Sequence, residues 1–260
     1  GYVPPGGALT PGFVLQGRAS KPVLIRAIGP GLAVFGVPET MPDPGLKLLG
    51  ANSTVIAAND NWGGGAALSA LFASVGAFPL DPTGRDAALQ QSLPVGAYTA
   101  QASAATGTNG VTLVELYDAD PGSSPALSRL TNVSARAQIG TGGDILIAGF
   151  TLSGNVPRTV LVRGIGPSLG TIFGLGGVMS DPKLELFDND TGSKITENDN
   201  WGGDAQLMDA AASVGAFALA DTATKDAVLL VTLAPGAYSA RVSGIGSSAG
   251  TAIVEVYELP

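Results

Sequence analysis

The chain has neither cysteine nor histidine in its 260 residues. The first absence removes disulfide frameworks, thiolate zinc sites and thiol nucleophiles. The second removes every catalytic triad built on an imidazole base. Charge is also thin: Asp, Glu, Lys and Arg make up 13 % of the chain, against roughly 25 % in ordinary globular proteins. What charge there is leans acidic, with 21 acidic against 13 basic residues and a formal net charge of −8. That balance disfavours phosphate backbones, so nucleic acid is not an expected partner. Every apolar run is broken by Gly, Pro or a polar residue before the roughly 18 residues needed to cross a bilayer as a helix. Membrane insertion is therefore not expected. The opening Gly1-Tyr2-Val3-Pro4-Pro5-Gly6-Gly7 has no initiator methionine and no apolar signal core; it reads as a processed or cropped terminus.

Glycine, with 38 residues, and proline, with 18, are plentiful, and the pattern they punctuate occurs twice. Leu24-Ile25-Arg26-Ala27-Ile28-Gly29-Pro30 returns as Leu161-Val162-Arg163-Gly164-Ile165-Gly166-Pro167. Asn59-Asp60-Asn61-Trp62-Gly63-Gly64 returns unchanged as Asn198-Asp199-Asn200-Trp201-Gly202-Gly203. Ala73 to Phe78 returns as Ala212 to Phe217, Gly96-Ala97-Tyr98 as Gly236-Ala237-Tyr238, and Val114 to Tyr117 as Val254 to Tyr257. Five motifs in one order at a nearly constant offset make a tandem repeat. The expected division is residues 1–120, a Pro/Gly/Ser linker over 121–128, and residues 129–260.

Within each copy, runs of four to eight alternating residues end at Gly, Pro or Asn, as half-buried strands do. Strands are expected at Val23 to Ile28, Leu184 to Phe187, Tyr98 to Ala102, Val111 to Tyr117 and Leu130 to Ile139. One short helix per copy is expected, at Ala66 to Ser74 and Ala205 to Ser213, where Ala, Leu and Met gather ahead of Gly76 and Gly215. The fold class is all-β: two tandem antiparallel β-sandwiches of the immunoglobulin or jelly-roll kind.

The order Asp-Pro-x-Leu-x-Leu, turn, Asn-Asp, Pro-Gly-x-Tyr and a closing Val-Glu-x-Tyr resembles the bacterial pre-peptidase C-terminal type of β-sandwich. Arg129-Leu130-Thr131-Asn132-Val133-Ser134 and Leu146-Ile147-Ala148-Gly149-Phe150 extend the likeness to a tandem repeat of large secreted and surface proteins of bacteria. The resemblance covers nearly the whole chain and rests on structural motifs. It implies secretion or display at the cell surface and a β-sandwich, not a reaction.

One strand is unevenly supplied. Leu130 to Ile139 opens the second copy, with Thr131, Val133, Ala135, Ala137 and Ile139 on one face. In the first copy the next shared segment, Gly12 to Gly17, lies too close to Gly1 for an equivalent strand to precede it in full. The first repeat is expected to lack that strand and to expose a sheet edge; the alternative is that the start is cropped from a longer array or that a different segment fills the gap. The residues placed at an assembly contact are Tyr2, Val3, Leu130, Val133 and Ile139, through complementation by another chain.

Several polar groups invite a role. Asp60 and Asp199, and the turn Asp188-Asn189-Asp190, offer oxygen ligands for Ca²⁺, the one candidate cofactor, with Asp43 and Asp181 nearby in sequence. The alternative is that these Asn and Asp side chains form turns and cap the following helix. Arg26 and Arg163 lie in apolar strands and need partners if buried; Asp86, Asp226, Glu115 and Glu255 recur in step with them. Trp62 and Trp201 offer either sugar-stacking faces or core positions. No local spacing makes a catalytic pair, so no enzymatic activity is expected. The leading functional expectation is a secreted structural subunit associating with itself head to tail; a carbohydrate- or protein-binding accessory module is the alternative.

Overall fold

The computed structural model describes residues 1–120 and 128–260, and within it the chain forms two compact units, Gly1–Thr131 and Asn132–Pro260. The sequence-based linker over 121–128 falls, apart from Ser128, outside the described residues. Ser128 itself is in a strand, and the division between units comes three residues beyond it.

The first unit contains β1 (Tyr2–Val3), β2 (Thr10–Gly17), β3 (Lys21–Ile28), β4 (Pro44–Leu49), β5 (Val55–Asn59), α1 (Ala66–Ser74), β6 (Ala87–Leu93), β7 (Gly96–Ala104), β8 (Gly110–Val111) and β9 (Leu113–Asp118). One antiparallel layer runs in the order β2-β7-β4-β5, with the strand Ser128–Ile139 bonded beside β2, and a second in the order β6-β3-β9, with β1 paired to β8. The core between the layers holds Phe13, Leu15, Val23, Ile25, Leu46 and Leu48. A second core, with Leu24, Ile28, Trp62, Phe72 and Leu80, lies on the other face of β3. Six consecutive residues of β3, Val23 to Ile28, are buried for that reason, and the strand reads as a nearly continuous apolar run rather than an alternation.

The second unit contains most of β10 (Ser128–Ile139), then β11 (Leu146–Leu152), β12 (Arg158–Ile165), α2 (Pro167–Phe173), β13 (Pro182–Asp188), β14 (Lys194–Asn198), α3 (Ala205–Ser213), β15 (Ala227–Leu233), β16 (Gly236–Gly244) and β17 (Gly250–Glu258). Its layers are β15-β12-β17-β10 and β11-β16-β13-β14. The all-β antiparallel expectation is met, and both expected helices have the expected ends. The count of one helix per copy needs correcting. A further helical turn follows each Ile-Gly-Pro: a 3₁₀ segment at Pro30–Phe35 and the α-helix Pro167–Phe173.

Those turns explain the recurring glycine. A Cβ on Gly29 would lie 2.0 Å from the Met41 carbonyl oxygen, and one on Gly166 would lie 2.3 Å from that of Met179. No side chain fits either gap. Proline follows at the first position of the helical turn, where its missing N–H costs nothing. The recurring tyrosines close corners: Tyr98 donates to the Pro94 carbonyl and Tyr238 to that of Ala234, each at 2.8 Å.

Candidate functional site

Each unit holds one buried arginine at the same place. Arg26 on β3 donates from Nε and Nη2 to Oε2 of Glu115 on β9, at 2.7 and 2.5 Å, and from Nη1 to the Phe78 carbonyl at 2.6 Å. Its guanidinium lies 4.8 Å from the ring centre of Phe72 and 4.6 Å from that of Phe78. Arg163 on β12 repeats the arrangement with Glu255 at 2.8 and 2.5 Å and the Phe217 carbonyl at 2.7 Å, under the Phe217 ring at 4.2 Å. All this polar capacity is turned inward, as a buried charge requires. Tyr117 donates its hydroxyl to Oε1 of Glu115 at 3.0 Å. Burial, and then the Glu115 charge, push its phenol up to about 12; burial and Glu255 push Tyr257 higher still.

Asp86 and Asp226 do not join these ion pairs, contrary to the grouping read from the sequence. Both are fully buried and hold the Gly-Pro helical turns. Asp86 Oδ1 accepts the Gly29 and Gly31 N–H groups at 2.9 and 3.1 Å. Asp226 Oδ1 accepts those of Gly166 and Ser168 at 2.9 and 3.3 Å, and its Oδ2 takes the Ser168 hydroxyl. Acceptors at the start of a helical segment satisfy N–H groups that have no partner within it. In the first unit Gly31 stands where Ser168 stands in the second, and Asp86 Oδ2 is buried without a partner.

The side chains of the oxygen-rich motifs form turns and ties. Asn59 accepts the Ala88 N–H at 3.0 Å and donates to the Asn61 carbonyl at 2.9 Å; Asn198 does the same with Val228 and Asn200. The helix-capping alternative also fails for this motif, because α1 is preceded by Gly65 and α3 is capped by Asp204. Asp60 and Asp199 are exposed on the motif's outer side. Asp188 accepts the Asp190 and Thr191 N–H groups at 2.9 Å, bonds that hold its carboxyl below the usual range. Asp43 pairs with Arg85 at 2.8 Å, and Asp181 with Lys225. Among the described residues, no three acidic side chains gather where a metal ion could sit. Trp62 and Trp201 are buried, and their indole N–H groups donate at 2.9 and 3.0 Å to the Asp81 carbonyl and the Thr224 hydroxyl. They are core residues, not stacking faces.

The difference between the copies lies on the strand that carries Glu115 and Glu255. In the second unit β17 is flanked on both edges: β12 takes one, and Asn132–Ile139 of β10 takes the other, from Asn132 opposite Tyr257 to Ile139 opposite Gly250. In the first unit β3 takes one edge of β9. On the other, Tyr2 sits opposite Val111 and Val3 opposite Gly110, and the Gly1 ammonium and carbonyl bond to Thr112 at 2.8 and 2.9 Å. Gly1 to Val3 thus hold the positions that Ala137 to Ile139 hold in the second unit. Beyond them, among the described residues, no strand pairs with β9. Backbone groups alternate in direction along a strand. Thr112 faces Gly1 and Ala119 faces β3, so the N–H and C=O groups of Val114 and Leu116 point to the open side. Val114 and Leu116 are half-buried where Val254 and Val256 are buried, and the Glu115 side chain is 17 % exposed against 7 % for Glu255.

The residues assigned to an assembly contact therefore separate. Tyr2 and Val3 are not a free arm; they complete the end of this edge in their own unit. Leu130 packs against the first unit's core, beside Ser128, whose hydroxyl bonds Ala19. Val133 and Ile139 pair with β17 in the second unit. The edge is legible in the sequence only as an imbalance between repeats; that Tyr2 and Val3 occupy its end was missed, since a two-residue strand has no periodicity to detect.

No protein-family model matches the chain, and no curated protein matches it. Among solved structures it is similar to the major capsid protein P2 of bacteriophage PM2, with 8 % identity, TM-score 0.24, and coverage of 99 % of this chain and 94 % of that one. It is also similar to a PBCV-1 virus capsid protein, with 8 % identity, TM-score 0.21, and coverage of 99 % and 91 %. A lectin from Pleurotus ostreatus in complex with GalNAc gives 9 % identity, TM-score 0.22, and coverage of 98 % and 75 %. Superpositions this loose say nothing about what the chain does.

Proposed function

We propose that this protein is a non-catalytic structural subunit, secreted or displayed at the cell surface, that associates with other chains head to tail. The duplicated scaffold carries the reading: the same buried Arg–Glu pair and the same aspartate-anchored helical turn recur in both units, and a block used twice in one chain suits an assembly of like blocks. Support comes also from the use of the ionisable side chains. Arg26, Arg163, Glu115, Glu255, Asp86 and Asp226 all serve the scaffold in duplicate, which fits a building unit better than an enzyme. The likeness to repeats of secreted bacterial proteins points to the same setting. The buried tryptophans lend nothing to a glycan-binding alternative. The test is negative-stain microscopy and sedimentation velocity on the full chain over a wide concentration range. Filaments or a ladder of oligomers are expected. A monodisperse monomer at the highest concentration would overturn the reading.

A further inference from the structure

The outer face of the second unit's sheet carries a cation that the chain itself leaves unmatched. Along β16, Tyr238, Ala240 and Val242 are buried, and Arg241 alternates with them toward the outside. Its guanidinium lies over the Phe187 ring, 3.8 Å from the ring centre, and its Nε is buried without a hydrogen-bond partner. We infer that Arg241 on Phe187 is a carboxylate-binding site that receives an acidic side chain from the first unit of a second copy of this chain. The occupant rests on the head-to-tail reading, and the inference names a contact through which that assembly is made.

Arg26 and Arg163 show what completes a guanidinium held over an aromatic ring. Each lies over a phenylalanine, and each gives two N–H groups to one glutamate carboxylate. Arg241 has the ring and, among the described residues, no carboxylate. Glu185 stands directly opposite it on β13, but Oε1 of Glu185 is taken by Lys183 and Lys194, each at 3.2 Å. Those two lysines balance Glu185 and Glu197, so Arg241 is the charge left over. The fold does not call for it: the same places in the first unit hold Gln101, opposite Lys47, and Leu49. A planar donor already fixed by stacking loses little freedom on taking a carboxylate, and two parallel N–H···O bonds give the pair direction. An acceptor also relieves the cost of a buried donor without one.

The occupant follows from charge. The chain is acidic, at a net −8, so a second copy brings carboxylates in excess. In the first unit Asp43, Asp81, Asp86, Glu115, Asp118 and Asp120 are all engaged. Among the described residues, the carboxylates of Glu39 and Asp60 make no hydrogen bond and no ion pair, and both residues are exposed. Ile147, directly opposite Arg241 on β11, is 50 % exposed. The pair would thus form beside an apolar side chain that a neighbouring molecule covers, the setting in which an interfacial arginine contributes most. Arg241 belongs to the second unit, and Glu39 and Asp60 to the first. A contact between them joins unlike surfaces and repeats from chain to chain.

The experiment is sedimentation velocity on the full chain, with a thermal melt of every variant. Arg241→Gln installs the residue that the first unit carries. The melting temperature is expected to stay, while the concentration needed for assembly rises by about tenfold or more. A second set reverses the charges: one chain carries Arg241→Glu, the other Glu39→Lys with Asp60→Lys. Neither should assemble alone, and an equimolar mixture should. Assembly of Arg241→Gln at the parent's concentration overturns the site and leaves the head-to-tail reading standing. A melting temperature that falls in Arg241→Gln assigns the arginine to folding and overturns the site likewise. A mixture that stays monomeric where the parent assembles overturns Glu39 and Asp60 as the source of the carboxylate. A parent chain that never assembles overturns the head-to-tail reading and the second copy as occupant together. In that case a shift of the Arg241 Nε–Hε NMR signal with an oligogalacturonate, and none with a neutral dextran oligomer, would assign the site to an acidic saccharide instead.

Discussion

At the scale of single residues, the duplicated arginines and the aspartates beside them give the sharpest expectations. Arg163→Met leaves Glu255, 7 % exposed, without its cation. Removing one partner of a buried pair costs about 3–5 kcal/mol, and the loss should appear as a lowered melting temperature of the second unit. Asp86 offers the opposite case. Its Oδ2 has no donor, while Asp226 has the Ser168 hydroxyl. Gly31→Ser should supply one and stabilise the first unit by about 1 kcal/mol, the size of a typical net hydrogen bond. The new Cβ would meet Asp86 Oδ2 and Ile28 at 3.0 Å, a fit that Ser168 achieves in the sister unit. Gly31→Ala carries the crowding without the donor and should destabilise; if both variants melt alike, the hydroxyl is not making the bond. Sequence alone showed that the arginines needed partners and that Glu115 and Glu255 ran in step with them. It did not show that Asp86 and Asp226 served a different task, because recurrence at constant spacing groups residues without saying which backbone groups need an acceptor.

At the scale of elements, the strands that carry Glu115 and Glu255 differ in one edge, so the same change should have unequal cost. Val254→Pro removes a ladder donor to β10 and leaves an acceptor unpaired, a loss of about 1–3 kcal/mol. Val114→Pro removes a donor that, among the described residues, faces no strand, and should cost clearly less, measured by denaturant unfolding of each variant. Equal costs would mean that the β9 edge is already bonded. The same strands govern alkaline behaviour. Tyr117 has its phenol raised to about 12 from a usual value of 10.0. The unfolded chain therefore ionises first. Its contribution is complete below pH 10 and is lost as pH rises from about 10 to 12. Tyr117→Phe should remove part of that alkaline decline, followed by chemical denaturation across the range. The strands and the helices Ala66–Ser74 and Ala205–Ser213 were readable from alternation and Ala/Leu content. The helical turns after Ile-Gly-Pro were not, since proline next to glycine reads as an ordinary turn until the buried aspartate that anchors it is placed.

At the scale of the whole molecule, each unit has its own cores and its own buried ion pair. Arg26→Met and Arg163→Met should therefore each shift a different calorimetric transition, and a shared single shift would show that the units unfold together. Excess EGTA should leave both transitions in place, because a metal bound only to the folded state would have raised them. The outer hairpins of the two units differ in a way that bears on handling in solution. On β13 and β14, Lys183, Glu185, Lys194 and Glu197 form a network with separations of 3.0–3.2 Å and a close Lys194–Glu197 contact. The two lysines, Lys194 foremost, hold the exposed Glu197 carboxyl at about 2. On β5 the matching stretch is Val55-Ile56-Ala57-Ala58, with Val55 54 % and Ile56 45 % exposed. A charged rim of this kind keeps a sheet margin soluble, and a bare one does not. This bare margin adds to the apolar surface that the chain offers to a neighbouring molecule. Under crowding by a neutral polymer, transplanting the rim as Val55→Lys with Ala58→Glu should raise the protein concentration at which turbidity begins.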